Sequence, residues 1–278
     1  MKKSIAGTLV FTREFSSRHI PPRPVAVWLP PGHESAGRLP VIYMQDGQNL
    51  FDPATSAVGV DWGMDEAVTR LAAAQNIGPA MVVGVWNTAR RWREYMPARA
   101  LDMAGDPETT EKFLREQGGL PVSNAYLRFL VEEVKPWVDR EYATRPDRTN
   151  TLIMGSSMGA LLSLYALCEY PDIFGGAGCL STHWPAGDGM VVDYARAALP
   201  APGRHRIYFD YGTETLDADY APCQARMDAV MEERGYTPGR DWVTRRFAGD
   251  DHSERAWRRR VDIPLAFLLR GTDNDPFN

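Results

Sequence analysis

The sequence predicts an α/β fold: a mostly parallel central sheet with helices on both faces and antiparallel strands at its N-terminal side. Three observations carry this. From residue 41 onward short apolar runs alternate with helical stretches, the order of βαβ units. Several of the runs are apolar at successive positions, as strands buried on both faces are. Ahead of them lie two β-rich segments separated by the breakers Pro21 and Pro22, which read as an antiparallel start.

The elements follow in order. Strands are predicted at 7–15 and 23–29, then at 41–44, where Val-Ile-Tyr-Met is closed by Asp46-Gly47. A helix over 64–75 leads to a strand over 80–86 rich in Val and Met. Residues 88–121 are polar, arginine-rich and punctuated by Pro97, Pro107, Gly118 and Gly119. That is long for a connection and is predicted to be a lid-like insertion. Ser123 is the expected N-cap of a helix to about Tyr142, with Leu127, Leu130, Val131, Val134 and Val138 at helical spacing. Strands at 151–154, 176–180, 206–211 and 242–247 and helices at 158–170, 218–234 and 253–269 complete the chain. At 278 residues, folding can bury roughly 75% of the surface of the unfolded chain. One domain over 1–278 is the expectation.

Composition narrows the function. Lys and Arg number 31 against 36 Asp and Glu, a net charge of -5, which argues against a nucleic-acid binder. Three cysteines without C-x-x-C spacing imply neither a disulfide framework nor a redox motif. There is no apolar window long enough to span a membrane and no secretory pattern after Lys2 and Lys3, so a cytoplasmic location is expected. No G-x-G-x-x-G follows an early strand, which disfavours a dinucleotide-binding enzyme.

The chemistry centres on Gly155-Ser156-Ser157-Met158-Gly159, a G-x-S-x-G motif between an apolar strand and an apolar helix. A strand–turn–helix of this kind is a nucleophile elbow. Its turn is expected to be so tight that side chains at 155 and 159 would collide with backbone, leaving Ser157 strained and its hydroxyl exposed. A serine hydroxyl needs a base to take its proton. Three histidines follow Ser157: His183, His205 and His252. His252, after the last strand and before the last helix, is where the base is expected. His183 comes early and could line the pocket. The acid should follow the strand at 206–211, where Glu214, Asp217 and Asp219 compete. Asp219 lies too far into the next helix. Asp217, able to serve as loop acid and helix N-cap at once, is favoured over Glu214, which stays open. The oxyanion hole would combine the backbone N–H of Met158 with that of Gln48, in the loop after strand 41–44.

Four segments together carry a resemblance: LPVIYMQDGQNLF over 39–51, GSSMG over 155–159, YFDYGTETLD over 208–217 and GDDHSERAW over 249–257. They resemble the Putative esterase family of α/β-hydrolases, which is similar to esterase D, enterochelin esterases and the feruloyl and acetyl-xylan esterases of carbohydrate-esterase family 1. The resemblance spans roughly 25–269. It implies an α/β-hydrolase fold and a serine carboxylesterase using Ser157, an acid and His252, without metal or cofactor. Two positions depart from many relatives: Asp46-Gly47 where His-Gly is common, and Ser156 where a histidine often precedes the nucleophile. Asp46 is expected either to hydrogen-bond substrate or to orient its loop.

The pocket is expected at the strand C-terminal ends, whose loops carry Trp62, Trp86, Arg90, Arg93, Tyr95 and Trp184. Aromatic faces stack on sugars or phenolic rings and arginines pair with carboxylates. The expected partner is a small-molecule or carbohydrate ester, with no nucleic acid or membrane, and the oligomeric state is left open. Competing readings are an acyltransferase or a peptidase on the same residues, and a non-catalytic binding protein on a hydrolase scaffold.

Overall fold

The computed structural model describes residues 4–270. Its strands are β1 (Thr8–Phe15), β2 (Arg23–Leu29), β3 (Val41–Met44), β4 (Met81–Val85), β5 (Thr151–Ser156), β6 (Gly176–Leu180), β7 (Arg206–Tyr211) and β8 (Trp242–Arg246). They form one sheet in the order β1-β2-β4-β3-β5-β6-β7-β8. β1 pairs antiparallel with β2, and β2 antiparallel with β4. The pairs from β4 through β3 to β8 are parallel. This is the mostly parallel sheet with antiparallel N-terminal strands that the strand–helix alternation predicts.

Alternation within the strands explains why both faces are covered. Val25, Val27, Tyr43, Val83 and Ile153 point into one apolar core. Their neighbours Ala26, Trp28, Ile42, Val82 and Leu152 point into another on the opposite face. A strand buried on both sides cannot afford polar alternation, which is why these runs read as continuously apolar. The first core is packed by α7 (Met158–Glu169), α8 (Met190–Ala198) and α9 (Ala221–Glu233). The second is packed by α1 (Met64–Ala73), α10 (Glu254–Arg260) and α11 (Asp262–Leu268). Among the described residues no helix is long and apolar enough to cross a membrane.

Three details depart from expectation. Residues 88–121 hold three helices rather than open loop: α2 (Arg91–Tyr95), α3 (Ala98–Ala104) and α4 (Pro107–Gln117). Asp106 caps the last by accepting from the N–H groups of Glu108 and Thr109, ahead of Pro107, which needs no partner at the first helical position. The helix predicted over 123–142 is α5 (Ser123–Arg128), a wide π turn over Phe129–Val134 and α6 (Lys135–Glu141). The wide turn lies just ahead of Pro136, which has no N–H for the helical ladder. Ser123 does not cap this helix: it lies within α5, and its Oγ accepts the N–H of Ala98 at 3.0 Å, tying α3 to α5.

The helical segment over 91–117 is fastened to the sheet by a buried ion pair. Arg23 at the start of β2 donates to both oxygens of Glu94 in α2, at 2.8 and 2.7 Å. Its guanidinium lies over the rings of Tyr126 and Phe129. Both side chains are essentially fully buried. Removing one partner therefore strands the other charge away from water. Glu94→Ala is expected to destabilise the protein by about 3–5 kcal/mol, whereas Arg23→Met combined with Glu94→Leu costs far less. Urea unfolding of the two variants measures the difference.

Candidate functional site

β4 and β5 lie on opposite sides of β3, so the loops after β3 and β5 diverge and leave a crevice at their C-terminal ends. Such a switch point is where open α/β sheets place their chemistry. Ser157 stands at this position, between β5 and α7. Its φ of 55° and ψ of -123° form a conformation that costs a residue with a side chain on the order of 1–3 kcal/mol. The Ser157 N–H donates to the Leu180 carbonyl at 3.0 Å, and its own carbonyl accepts from Ala160, Leu161 and His183. These bonds hold the strained turn. Ser157 is partly exposed, and the N-terminus of the 12-residue α7 lies directly behind it, favouring negative charge there.

The two glycines of the motif differ. A Cβ on Gly155 would lie 2.5 Å from Gln45 Oε1 and 2.9 Å from the Gly159 backbone. A Cβ on Gly159 would come no closer than 3.4 Å to any neighbour. The expected collision therefore holds for Gly155 and not for Gly159, whose side-chain direction points toward Gln45 and Asp46.

His252 follows β8, and Ser253 after it caps α10 by accepting the N–H of Ala256. His252 Nδ1 is 2.6 Å from Asp217 Oδ1. A carboxylate only accepts, so the imidazole proton lies on Nδ1 and Nε2 keeps its lone pair. The ring is wedged edge-on among Trp257, Tyr220 and His183, with centroids 5.0, 5.8 and 6.5 Å away. Among the described residues no hydrogen bond joins Ser157 Oγ to His252. Such bonds commonly tighten only around substrate.

Asp217 and Glu214 are separated by environment. Glu214 is exposed, and its carboxylate meets only Thr213 Oγ1, at 3.5 Å. Asp217 is buried in a 3-10 turn, Thr215–Asp219. It does not cap α9, whose N-cap is Tyr220. Its second oxygen accepts from Ser181 Oγ and the Gly212 N–H, both at 2.6 Å. Burial opposes ionisation here, but the bonds from His252, Ser181 and Gly212 outweigh it and hold the carboxyl below the usual carboxylate range. Ser181 Oγ in turn accepts from Trp257 Nε1 at 2.9 Å and Arg260 Nη2 at 2.8 Å. Arg260 is itself paired with Asp210 and Asp250.

The loop after β3 reaches the same crevice. Gly47 packs so closely on β4 that a Cβ would lie 2.5 Å from the Gly84 backbone. Gln48 sits in a 3-10 turn, Gly47–Asn49, and its Oε1 accepts the Asn87 N–H at 3.2 Å. Asp46 adopts a left-handed backbone, and both its oxygens are engaged: Arg91 donates to each at 2.8 Å and Asn87 Nδ2 donates at 2.6 Å. Asp46 thus orients its loop against α2.

The expected substrate-contacting set is largely redistributed. Trp62 and Trp184 are buried, Trp62 against Trp257 and Trp184 donating to Gln224. Tyr95 is fully buried beside Tyr126, its hydroxyl accepting the Asp46 N–H at 3.3 Å. Arg93 donates to the Leu120 carbonyl, Trp86 packs on Phe11, and Arg90 is exposed. Arg91 and Trp92 turn toward the crevice instead. Trp92 is exposed and lies edge-on to His183, with centroids 5.5 Å apart. Beside it is a cavity of about 530 Å³ between α4 and the loop after β6, lined by Trp92, Met96, Phe113, His183 and Met190 among others. Sequence reasoning missed Ser181, Arg91, Tyr220, Trp257 and Arg260. Only Ser181, at the C-terminal end of an apolar strand, carried a positional signal.

Comparisons with known proteins agree with this architecture. The family described as "Putative esterase" matches residues 16–262. The ferri-bacillibactin esterase BesA of Bacillus subtilis (strain 168) is 31% identical over 154 residues, which are 52% of this chain and 48% of BesA. The match therefore spans about half the length of that relative. A ferulic acid esterase superposes with a TM-score of 0.69 at 18% identity, covering 95% of this chain and 99% of the other. The enterobactin esterase FES from Shigella flexneri gives 0.64 at 19% identity, covering 96% and 60%. These structural likenesses establish the shared fold.

Two outcomes follow from the geometry. Gly155→Ala should lower the thermal midpoint sharply, whereas Gly159→Ala should lower it far less, as calorimetry can record. His183 is pushed down to about 4, chiefly by burial, with His252 and Arg91 adding and Asp217 opposing. In the unfolded chain a histidine titrates near 6.5. Between these values the unfolded state binds the extra proton, so acidification from about pH 6.5 to 4 lowers stability. His183→Phe should flatten that part of the profile, read from urea midpoints at several pH values.

Proposed function

Because this chain belongs to the Putative esterase family, we propose that it hydrolyses carboxylic esters through an acyl-enzyme on Ser157. His252 is the general base and Asp217 the acid that orients it. The observation that carries this reading is the 2.6 Å contact between His252 Nδ1 and a buried Asp217, which leaves the lone pair of Nε2 for the serine proton.

Ser157 Oγ attacks the ester carbonyl as His252 Nε2 takes its proton. The N–H groups of Met158 and Gln48 receive the oxyanion, supported by the N-terminus of α7. The imidazolium that forms is stabilised by Asp217. His252 then protonates the departing alkoxide, and the alcohol leaves. Water enters, gives a proton to the same nitrogen, and its oxygen attacks the acyl carbon, releasing the acid and restoring Ser157.

The substrate class proposed is an aromatic or acetyl ester of a hydroxylated compound, a carbohydrate among the candidates. Support comes from the aromatic side chains of the cavity beside His183. The names of the ferulic acid esterase and of the siderophore esterases point the same way.

Ser157→Ala should reduce turnover of 4-nitrophenyl acetate at least about 10³-fold and abolish labelling by a fluorophosphonate, with the circular dichroism spectrum unchanged. Asp217→Asn should cost roughly 10³- to 10⁴-fold in kcat, because the amide lets the imidazole take the wrong tautomer. Glu214→Gln should stay close to the parent. Comparable losses in the Asp217 and Glu214 variants would contradict the assignment.

A further inference from the structure

A second histidine stands beside the nucleophile without a part in the acyl-transfer steps. The His183 backbone N–H donates to the Ser157 carbonyl at 3.3 Å. Its ring lies between Trp92 and His252 and forms part of the wall of the 530 Å³ cavity. His183 Nδ1 is 2.7 Å from the Tyr220 hydroxyl.

The direction of that bond decides what His183 can do. Tyr220 is 1% exposed, and among the described residues its hydroxyl has no hydrogen-bond partner but His183. Were Nδ1 the donor, the tyrosine proton would be buried without an acceptor, an arrangement proteins avoid. Tyr220 therefore donates, Nδ1 accepts, and the neutral ring carries its proton on Nε2. Burial, above all, keeps the ring neutral, with His252 and Arg91 adding and Asp217 opposing. A ring protonated at Nε2 cannot accept the serine proton, so His183 does not compete with His252 as base. Nε2 has no partner among the described residues and is not among their buried unsatisfied atoms, so it opens on the cavity. Trp92, Met96 and Phe113 share that wall with charged side chains, Asp106, Lys112 and Asp188 among them.

We propose that His183 is a specificity-determining residue: its Nε2–H donates a hydrogen bond to an oxygen borne by the acyl group, selecting acyl groups that carry such an acceptor, a hydroxyl being the simplest, over ones that do not. Tyr220 acts through it as a positioning residue by setting the tautomer. The inference rests on the esterase reading for its kinetic consequence and on the tautomer for its structural one, and the two are tested separately.

The 4-nitrophenyl esters of acetate, cinnamate and 4-hydroxycinnamate serve as probes for the parent protein, His183→Phe and Tyr220→Phe. Phenylalanine at 183 keeps the ring packing and removes the donor. The expected result is a kcat/KM that falls about tenfold more for the hydroxylated acyl group than for cinnamate or acetate, mainly through KM. Tyr220→Phe is expected to shift selectivity the same way by a smaller factor. A uniform loss across the three esters, or none, overturns the inference. If the parent cleaves none of them, the esterase reading fails instead. The inference is then judged by ¹⁵N-histidine NMR. Expected are Nε2 protonation of His183 at pH 7 and a shift of that resonance on adding 4-hydroxycinnamate that cinnamate does not reproduce. Protonation on Nδ1, or no differential shift, overturns it whether or not esters are hydrolysed.

Discussion

A buried carboxylate stays charged only where hydrogen-bond donors converge on it, and in this chain that demand falls on Asp217. Its partners come from distant parts of the chain: His252 after β8, Ser181 after β6 and the backbone of Gly212 after β7. A Cβ at Gly212 would lie 2.1 Å from the Asp250 carbonyl, so the loops after β7 and β8 meet where the carboxylate needs them. Behind Ser181 the guanidinium of Arg260 bridges Asp210 and Asp250. α10 is thereby tied to the end of β7 and to the loop after β8, and His252 lies in that loop just ahead of the helix. A side chain held from that many directions has little freedom, and orientation is what the base role proposed for His252 requires.

The proposed nucleophile is held by different means. Ser157 occupies a strained turn, and the strain is met by backbone hydrogen bonds to the Leu180 carbonyl and from the His183 N–H and by the fit of Gly155 against Gln45. The loop after β3 is fixed in turn by Asp46, whose charge is spent on Arg91 and Asn87. The acidic residue in this loop is paired to an arginine of α2, and the ion pair closes the loop against α2. The Arg23–Glu94 pair anchors the same helix to β2. Residues 88–121 reach the crevice because two ion pairs, one buried and one at the rim, hold their first helix in place.

Much of this was legible in the chain. Strand positions followed from apolar runs, because a strand covered on both faces has no tolerance for polar residues. The elbow was legible because a strand, a glycine-flanked serine and an apolar helix are contiguous. His252 was legible by position, since few histidines follow Ser157 and it alone lies between the last strand and the last helix. Helix interruptions were harder. Ser123 looks like a cap by residue type, but its hydroxyl is claimed by Ala98, a contact that exists only once α3 has folded back.

By itself, then, the sequence determined where the strands lie, the strand–turn–helix around Ser157 and the place of His252 after the last strand, since each depends on residues adjacent or periodic along the chain. Only the tertiary structure separates the surroundings of Asp217 from those of Glu214, three positions apart and chemically alike. One turns inward to meet His252, 35 residues away, and the other faces solvent. It also decided that Arg91 rather than Arg93 meets Asp46, across 45 residues, and that Trp62, Tyr95 and Trp184 pack inside while Trp92 and His183 face the crevice. Periodicity reports which face of an element is buried. Which polar partner a side chain meets depends on distances between segments far apart in the chain, and only packing sets those.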